Sequence, residues 1–427
     1  MFRQPSPSAH LRQQFRPVLL ACLLAVPVSV HAEVNLLDAV KNGKAMTNFR
    51  LRYENVDQEN RARTGEATTL RSLVGWQTAA FHDFSLGAQL IGVSKFQDDY
   101  DERDRGLPQS GRADYPIIAD PDLTAVNQLY LDWTGLPHTR IRAGRQQVNL
   151  DNVRFIGDIG FRQVMQVFDG VSLLNNSLPN TELYFAHFDR VRQVSTRQRE
   201  GDLDIVHAKY RLSAEATLTA YGYFSNFENP TVAPINVLGP DTDQSSKSLG
   251  LRLEGSHGLG TVWKLPYTVE YARQTDYADG NSRIDAYYAR LGGGAMFNSW
   301  YARFDYELLS SNDGGYAFQT PFGTNHLFQG WADLFLITPA QGIRDRYLSF
   351  GGKPLAALQL TGEYHVFDSD EGSIAYGKEL DLGVAYAVNA RLQAKLEYAN
   401  FKEDDQQVGL ARKPDTEKIW LTMMYTF

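Results

Sequence analysis

The sequence predicts an all-β protein, a transmembrane antiparallel β-barrel of 18 strands in the outer membrane of a Gram-negative cell. Three observations lead to this prediction. The chain opens with an export-type segment, and most of the remaining length alternates between apolar and polar residues. After the opening segment, no apolar run approaches the ~18 residues that a spanning helix needs. The aromatic content of 12% and the 35 glycines suit strands, tight turns and interfacial aromatic girdles.

Residues 1–32 are predicted to be a signal peptide. They hold three arginines and no acid, then the apolar run Val18–Val30, and they end in small residues before Glu33. Cys22 is the only cysteine, so cleavage would leave neither a disulfide nor a thiolate metal site. Lipoprotein cleavage at Cys22 is the alternative, but its apolar core would be shorter than the ~7–15 residues required.

Residues 33–46 are predicted to be a short periplasmic lead-in, and residues 47–427 a single barrel domain. In segment after segment of the barrel region, one parity is aliphatic or aromatic and the other is charged or small. One face of such a strand suits lipid and the other suits water. Clear examples are the segments 49–54, 128–133, 206–212, 249–254, 300–308 and 391–398.

A soluble β-sandwich also alternates, but three features favour the barrel. The pattern recurs about 18 times, which allows roughly 22 residues for each strand and its connection, enough for ~9–11 spanning residues. The connections are unequal, with a short link at 135–138 and a long polar one at 94–124. The chain ends at Phe427 on an amphipathic segment, which we interpret as the signal read by the barrel-assembly machinery.

Two stretches resemble a known family, the alginate-export family of outer-membrane channels. They are 144–155, continuing through 161–163 and 168–170, and 324–333 with Thr338-Pro339. A third stretch, 115–121, is similar to the family's segment ahead of its fourth strand. The resemblance implies a monomeric 18-stranded barrel through which an anionic polyuronate leaves the periplasm, past an arginine-rich constriction.

Charge is expected to differ between the lumen and the loops. Residues 33–427 carry a formal charge of −11, because the whole chain carries −8 and the first 32 residues hold three arginines and no acid. The parity assigned to the lumen nevertheless carries 12 bases and 8 acids. A low-dielectric wall focuses such a field, so the lumen should prefer anions. The predicted pore-lining bases are Arg50, Arg52, Arg140, Arg142, Arg252, Arg303, Arg391 and Lys395.

The segment that best matches the family also predicts the constriction. It lies between two predicted strands and is too polar for a lipid-facing wall, so it should face water or the pore. Acids beside its arginines could hold the guanidinium planes while leaving donors free for a passing carboxylate. The alternative is a latch of paired charges that only closes the wall. The predicted constriction residues are Arg145, Asp151, Arg154, Arg162 and Asp169.

No local signal points to an enzyme, a cofactor or a metal site. The sequence has no G-x-S-x-G, H-E-x-x-H or phosphate-cradling loop, and the histidines after the signal peptide are dispersed without metal-ligand spacing. The expected partners are outer-membrane lipid and lipopolysaccharide, the assembly machinery and a periplasmic export scaffold, with no nucleic acid. The leading hypothesis is a passive channel for anionic saccharides such as an alginate-like polyuronate. The alternatives are a diffusion porin for small anions and, from another class, a barrel enzyme or adhesin.

Overall fold

Eighteen long strands form one closed antiparallel barrel in the part of the chain that the computed structural model describes, residues 35–102, 112–229, 237–239, 242–404 and 412–427. The predicted signal peptide lies outside these residues. The strands are β1 Asn48–Gln58, β2 Gly65–Gln77, β3 Phe84–Asp99, β4 Leu123–Trp133, β5 Thr139–Gln146, β6 Val167–Asn175, β7 Thr181–Arg192, β8 Gln198–Ser213, β9 Ala216–Asn226, β10 Ser246–Leu259, β11 Trp263–Asp276, β12 Asp285–Phe297, β13 Trp300–Leu309, β14 Ile343–Leu355, β15 Leu358–Asp368, β16 Ala375–Ala387, β17 Leu392–Glu403 and β18 Thr416–Thr426.

The barrel closes between its first and last strands. Each strand pairs with its sequence neighbours, and β1 pairs with both β2 and β18. In this register Arg50 lies opposite Arg71 on one side and Met424 on the other. Closure removes the open edges that would expose unpaired backbone groups to lipid. The prediction of an 18-stranded antiparallel barrel is confirmed.

The two ends of the barrel differ in the length of their connections. Eight short turns lie at one end, together with the start of β1 and the end of β18. The shortest, such as 214–215, have two residues, and the longest is 78–83. The longest segments, such as 100–122 and 310–342, connect strands at the other end, which also has three short connections, 59–64, 193–197 and 369–374. In outer-membrane barrels the short turns face the periplasm and the long loops face outward. The unequal connections seen in the sequence therefore correspond to two distinct ends.

A short helix, α1 Leu36–Lys41, precedes the barrel at the turn end. The Asn35 side chain caps it by accepting a hydrogen bond from Leu37 N at 3.0 Å. Trp76 Nε1 donates to the Val40 carbonyl at 2.8 Å, which ties α1 to the end of β2. The helix lies inside the segment predicted as a lead-in. No helix in the described residues is long and apolar enough to cross a membrane.

The two faces of the wall differ as the alternation predicts. Leu249 and Leu251 on β10 lie on the outward face and are at least half exposed. The neighbouring Arg252 lies on the inward face and is buried. Trp420 breaks the pattern, since it falls on the inward parity and is fully buried. It is covered because Phe161 and His326, which belong to two loops, pack against it inside the barrel.

Two loops fold into the lumen and pack against each other. Inner loop 1 is residues 147–166, between β5 and β6, and inner loop 2 is residues 310–342, between β13 and β14. A parallel bridge joins Ile156 to Phe322, with Gly157 N donating to the Phe322 carbonyl at 2.9 Å. Inner loop 2 also contains a short 3₁₀ turn, Asn325–Leu327. These loops bring polar groups from opposite parts of the sequence to the barrel interior.

The outward face supports a prediction about depth in the membrane. Leu251→Arg, near the middle of β10, should destabilise the barrel by about 2–4 kcal/mol, because the charge would face the bilayer midplane. Leu259→Arg, on the same face at the turn end, should cost about 0–1 kcal/mol. Urea unfolding in lipid vesicles, followed by tryptophan fluorescence, measures both. Equal costs at the two positions would contradict the assignment of this face to lipid.

Candidate channel site

A buried arginine joins inner loop 1 to the wall and to inner loop 2. Arg162 Nη1 lies 3.1 Å from Glu54 Oε2 on β1, and Arg162 Nη2 lies 2.7 Å from Asp333 Oδ2 in inner loop 2. Asp120, from the 100–122 connection, is 4.0 Å away and accepts a hydrogen bond from Gln163 N. A buried guanidinium needs such partners, since desolvation is costly without them. Arg162 therefore fixes three chain segments at one point.

The ionisation of this junction reflects its neighbours. Burial alone would raise the pKa of Asp333, but His326, Lys418 and Arg162 around it hold that pKa below its ordinary value. Burial lowers the pKa of the Arg162 guanidinium, yet the carboxylates of Glu54 and Asp333 outweigh it and the pKa is raised. Arg162 and Asp333 are thus both charged, and their ion pair acts as a fixed clamp between the inner loops.

Two further charges of inner loop 1 attach it to other strands. Arg154, 1% exposed, lies 2.8 Å from Glu307 Oε1 on β13 and donates to Gln329 Oε1 at 2.9 Å. Asp151 lies 2.8 Å from His207 Nε2 and 3.1 Å from Lys209 Nζ, both on β8. Burial would raise the pKa of Asp151, but the contacts with His207 and Lys209 lower it to about 2. Arg154, Asp151 and Arg162 therefore all anchor inner loop 1 within the barrel.

Arg50 and Arg52 on β1 bind the backbone of inner loop 1. Arg50 donates to the carbonyls of Gly160 and Arg162 and, at 2.9 Å, to the side chain of Gln163. Arg52 donates to the Phe161 carbonyl at 2.6 Å. These partners are neutral, so the hydrogen bonds themselves bring no negative charge to either guanidinium. The nearest carboxylates, such as Asp120, act on both arginines from beyond ion-pair distance.

Arg71 on β2 extends this row of positive charge. Its Nη2 donates to Asn48 Oδ1 at 2.9 Å, but its Nε and Nη1 are buried and have no hydrogen-bond partner among the described residues. Within the described chain, no carboxylate lies within 4.0 Å of Arg50, Arg52 or Arg71. Arg71 is one of the 12 bases on the parity assigned to the lumen, but it is not among the predicted pore-lining residues. The available signal was the register, which sets it opposite Arg50 with Val93 on its other side.

A cavity of about 520 Å³ lies between this row and the inner loops. Its wall comes from β1, β2, β17 and β18, towards their turn ends. The Lys395 ammonium belongs to the wall, although it pairs with Glu397. The side chains that set the charge and polarity of the cavity are Arg50, Arg52, Arg71, Lys395, Asp158 and Phe161.

Arg145 and Asp169 are not brought to the inner loops. They form a two-pronged ion pair, with both Arg145 Nε and Nη2 at 2.7 Å from the carboxylate. Arg145 lies opposite Leu129, which is 49% exposed, and paired residues project to the same face. The pair therefore belongs to the outward face, whereas Arg142, three residues earlier on the same strand, faces inward. The structure separates it from Asp151, Arg154 and Arg162.

The remaining predicted pore-lining bases have mixed positions. Arg142 forms a two-pronged pair with Asp132 and lies over the Tyr130 ring. Arg252 pairs with Glu254, and Arg303 with Asp305. These pairs match the alternative reading in which inward charges neutralise each other across the lumen wall.

Two of these bases lie away from the paired set. Arg140 shares the inward parity of Arg142 and is exposed. Arg391 lies in the turn between β16 and β17, outside any strand, so its side chain is not part of the wall. The alternation in the sequence begins at Arg391, one residue before β17 starts. This explains why Arg391 was predicted to line the pore.

Comparison with known proteins supports the fold and not the family resemblance. No family model matches the chain, and no curated protein matches it. The alginate-export resemblance is therefore not supported.

Solved porins of Pseudomonas aeruginosa do share the fold. OpdQ is 15% identical, with 91% of this chain and 99% of OpdQ covered at a TM-score of 0.66. OpdL is 14% identical over 91% and 99% at 0.66. OpdK, solved with vanillate, is 15% identical over 90% and 98% at 0.66. These neighbours are 18-strand outer-membrane porins, so the chain has an outer-membrane porin fold, consistent with the predicted location.

The junction at Arg162 generates a prediction. Arg162→Met should destabilise the barrel by about 3–5 kcal/mol, because it leaves buried carboxylates without their partner. Loosened inner loops should also increase single-channel conductance and open-channel noise. Arg346→Met, which removes an exposed pair with Asp368 on the outward face, should cost about 0–1 kcal/mol. Unfolding and bilayer recordings measure these effects, and unchanged conductance in Arg162→Met would contradict the clamp.

The pKa of Asp151 generates a second prediction. Because its folded pKa is lowered from 3.8 to about 2, its contribution is complete above about pH 4 and is lost as pH falls towards 2. That contribution is about 2 kcal/mol, since one pKa unit corresponds to about 1.4 kcal/mol. Asp151→Asn should therefore flatten the loss of stability between pH 4 and pH 2. Asp313→Asn, at an exposed turn, should keep the wild-type profile; a wild-type profile in Asp151→Asn would refute the prediction.

Proposed function

We propose that the protein is a passive diffusion porin that prefers small organic anions, carboxylates in particular. The observation that carries the proposal is the row formed by Arg50, Arg52 and Arg71. These guanidiniums line one wall of the cavity with no carboxylate within 4.0 Å among the described residues. A field of this kind, focused between low-dielectric walls, favours anions in the lumen.

Arg71 is the group best suited to contact a solute. Arg50 and Arg52 use donors to hold inner loop 1, whereas Arg71 keeps Nε and Nη1 without partners in the described chain. Guanidinium groups bind carboxylates through parallel hydrogen bonds, which gives both attraction and orientation. Arg71 lines the cavity, so a carboxylate bound there would lie beside a guanidinium that has no ion-pair partner in the described chain.

The size of the cavity favours a small solute over a polymer. Its volume of about 520 Å³ falls within the ~300–1,000 Å³ range of small-molecule pockets. A bridge joins the two inner loops inside the barrel, and most other inward bases are paired with acids. An alginate-like polyuronate would need a long continuous basic track. The hypothesis of a saccharide channel therefore has less support. The monomeric state of the barrel stays a prediction.

OpdK provides the first probe, since its structure was solved with vanillate, an aromatic carboxylate. We expect the reconstituted protein to give an anion-selective reversal potential in a salt gradient. Vanillate should reduce ion current in a concentration-dependent manner. Arg71→Gln should weaken this block by about tenfold or more, because charge-assisted hydrogen bonds contribute about 1.5–3 kcal/mol.

Arg346→Gln is the matched control, since it removes one outward-facing arginine and leaves the lumen unchanged. Its selectivity and vanillate block should equal those of the wild type. Cation selectivity of the wild type, or identical block in Arg71→Gln, would contradict the proposal. Current block by oligouronates that exceeds block by vanillate would favour the saccharide channel instead.

A further inference from the structure

A second part of the inner wall is acidic, in contrast to the arginine row, and carries a histidine among carboxylates. His365 lies on β15, and its Nδ1 is 2.9 Å from Asp345 Oδ2 on β14. Its Nε2 lies 3.5 Å from Glu363 Oε2 and 3.7 Å from Asp381 Oδ2. The register sets Glu363 directly opposite Asp381 on β16, so two neighbouring strands supply the two carboxylates around Nε2.

The imidazole ring is held in one orientation. It is 2% exposed and stacks between Tyr347, at 4.7 Å, and Phe367, at 5.3 Å between ring centroids. The Asp345 carboxylate accepts the Nδ1 proton, which leaves Nε2 directed at Glu363 and Asp381. A histidine that binds a metal commonly has this arrangement, in which a carboxylate fixes the tautomer from the far side of the ring.

Two neighbouring carboxylates of the cluster each have one oxygen without a hydrogen-bond donor among the described residues. Asp381 Oδ1 and Glu379 Oε2 are buried and receive no hydrogen bond within the described chain, and the two carboxylates interact with each other. Their other oxygens accept hydrogen bonds from the backbone of Trp331 and Ala332 in inner loop 2, which are neutral donors. Buried carboxylates in contact require a shared proton or a cation.

We propose that Glu363, His365 and Asp381 bind a divalent transition-metal ion of the Zn²⁺ type. Their ligand atoms lie within 4.8 Å of one another. Tetrahedral zinc with bonds of about 2.0–2.1 Å separates neighbouring ligands by about 3.3–3.4 Å, close to the two distances from Nε2. The mixed nitrogen and oxygen set disfavours Mg²⁺ and Ca²⁺, which prefer oxygen alone.

Access to the site comes through Glu363. Its side chain is 24% exposed, whereas His365 and Asp381 are 2% and 0% exposed. The Glu363 carboxylate can therefore move to close the coordination shell, and the lumen can supply water as a fourth ligand. Metal-ligand spacing could not be recognised in the sequence, because the ligands combine an i, i+2 pair on β15 with a residue that strand pairing brings alongside.

The competing explanation is protonation: a second proton on His365, which would make the ring an imidazolium among carboxylates, together with a proton shared by Glu379 and Asp381. Zinc binding distinguishes the two. Untagged, folded full-length protein in detergent is dialysed against ZnCl₂, and retained zinc is quantified by elemental analysis. We expect one tightly held ion per chain that excess Mg²⁺ does not displace, with X-ray absorption showing nitrogen and oxygen ligands at about 2.0–2.1 Å.

Variants make the test specific. His365→Gln should lose the tightly held ion, and Asp345→Asn should weaken binding by about 10–100-fold through the ring's outer partner. His207→Gln is the matched control, because His207 is equally buried and also faces an aspartate, yet it should retain full binding. Zinc retained equally by His365→Gln, or no tight zinc in the wild type, would overturn the proposal.

If His365→Gln does not fold, Glu363→Gln replaces it, since the partly exposed side chain at this position tolerates substitution better. This variant must bind zinc more weakly than the wild type, and unchanged affinity would overturn the proposal. The proposal goes beyond the porin function and does not rest on it. Zinc retention is measured without conductance, so its failure leaves the anion selectivity of the channel untouched.

Discussion

The interior of this barrel depends on satisfying one buried charge. Arg162 cannot lie inside the wall without carboxylates, and its partners come from β1, from the 100–122 connection and from inner loop 2. Because these partners are far apart in sequence, the guanidinium defines where three segments meet. The position of inner loop 1, and with it the ceiling of the arginine-lined cavity, follows from this electrostatic requirement.

The wall could be predicted from the sequence because strand alternation is local. Segments such as 300–308 show which residues face lipid, and the lengths of the connections distinguish the two ends of the barrel. Trp420 could not be placed this way, since its burial depends on Phe161 and His326 from loops that fold inward. Alternation describes a residue's own strand and carries no information about what later covers it.

The site was predicted only in part, for a similar reason. The polarity of the segment between the strands around Ile141 and Val171 predicts a stretch that faces away from lipid. The structure places Asp151, Arg154 and Arg162 in inner loop 1, and their role at a constriction stays a prediction. Arg145 has the opposite parity to Arg142, a difference that the sequence already contained. The partners of each charge could not be predicted, because contacts such as Arg154 with Glu307 join residues separated by half the barrel.

One hydrogen bond from Arg50 and one from Arg52 end on the main-chain carbonyls of residues 160 and 161 in inner loop 1. Every amino acid supplies such a carbonyl, so mutations at positions 160 and 161 preserve these two attachment points. Positions 160 and 161 can therefore change over evolutionary time without loss of these two attachments, whereas Asp151, Arg154 and Arg162 hold the loop through their side chains. A barrel built in this way can change which solutes it admits by single steps, each of which leaves the scaffold intact.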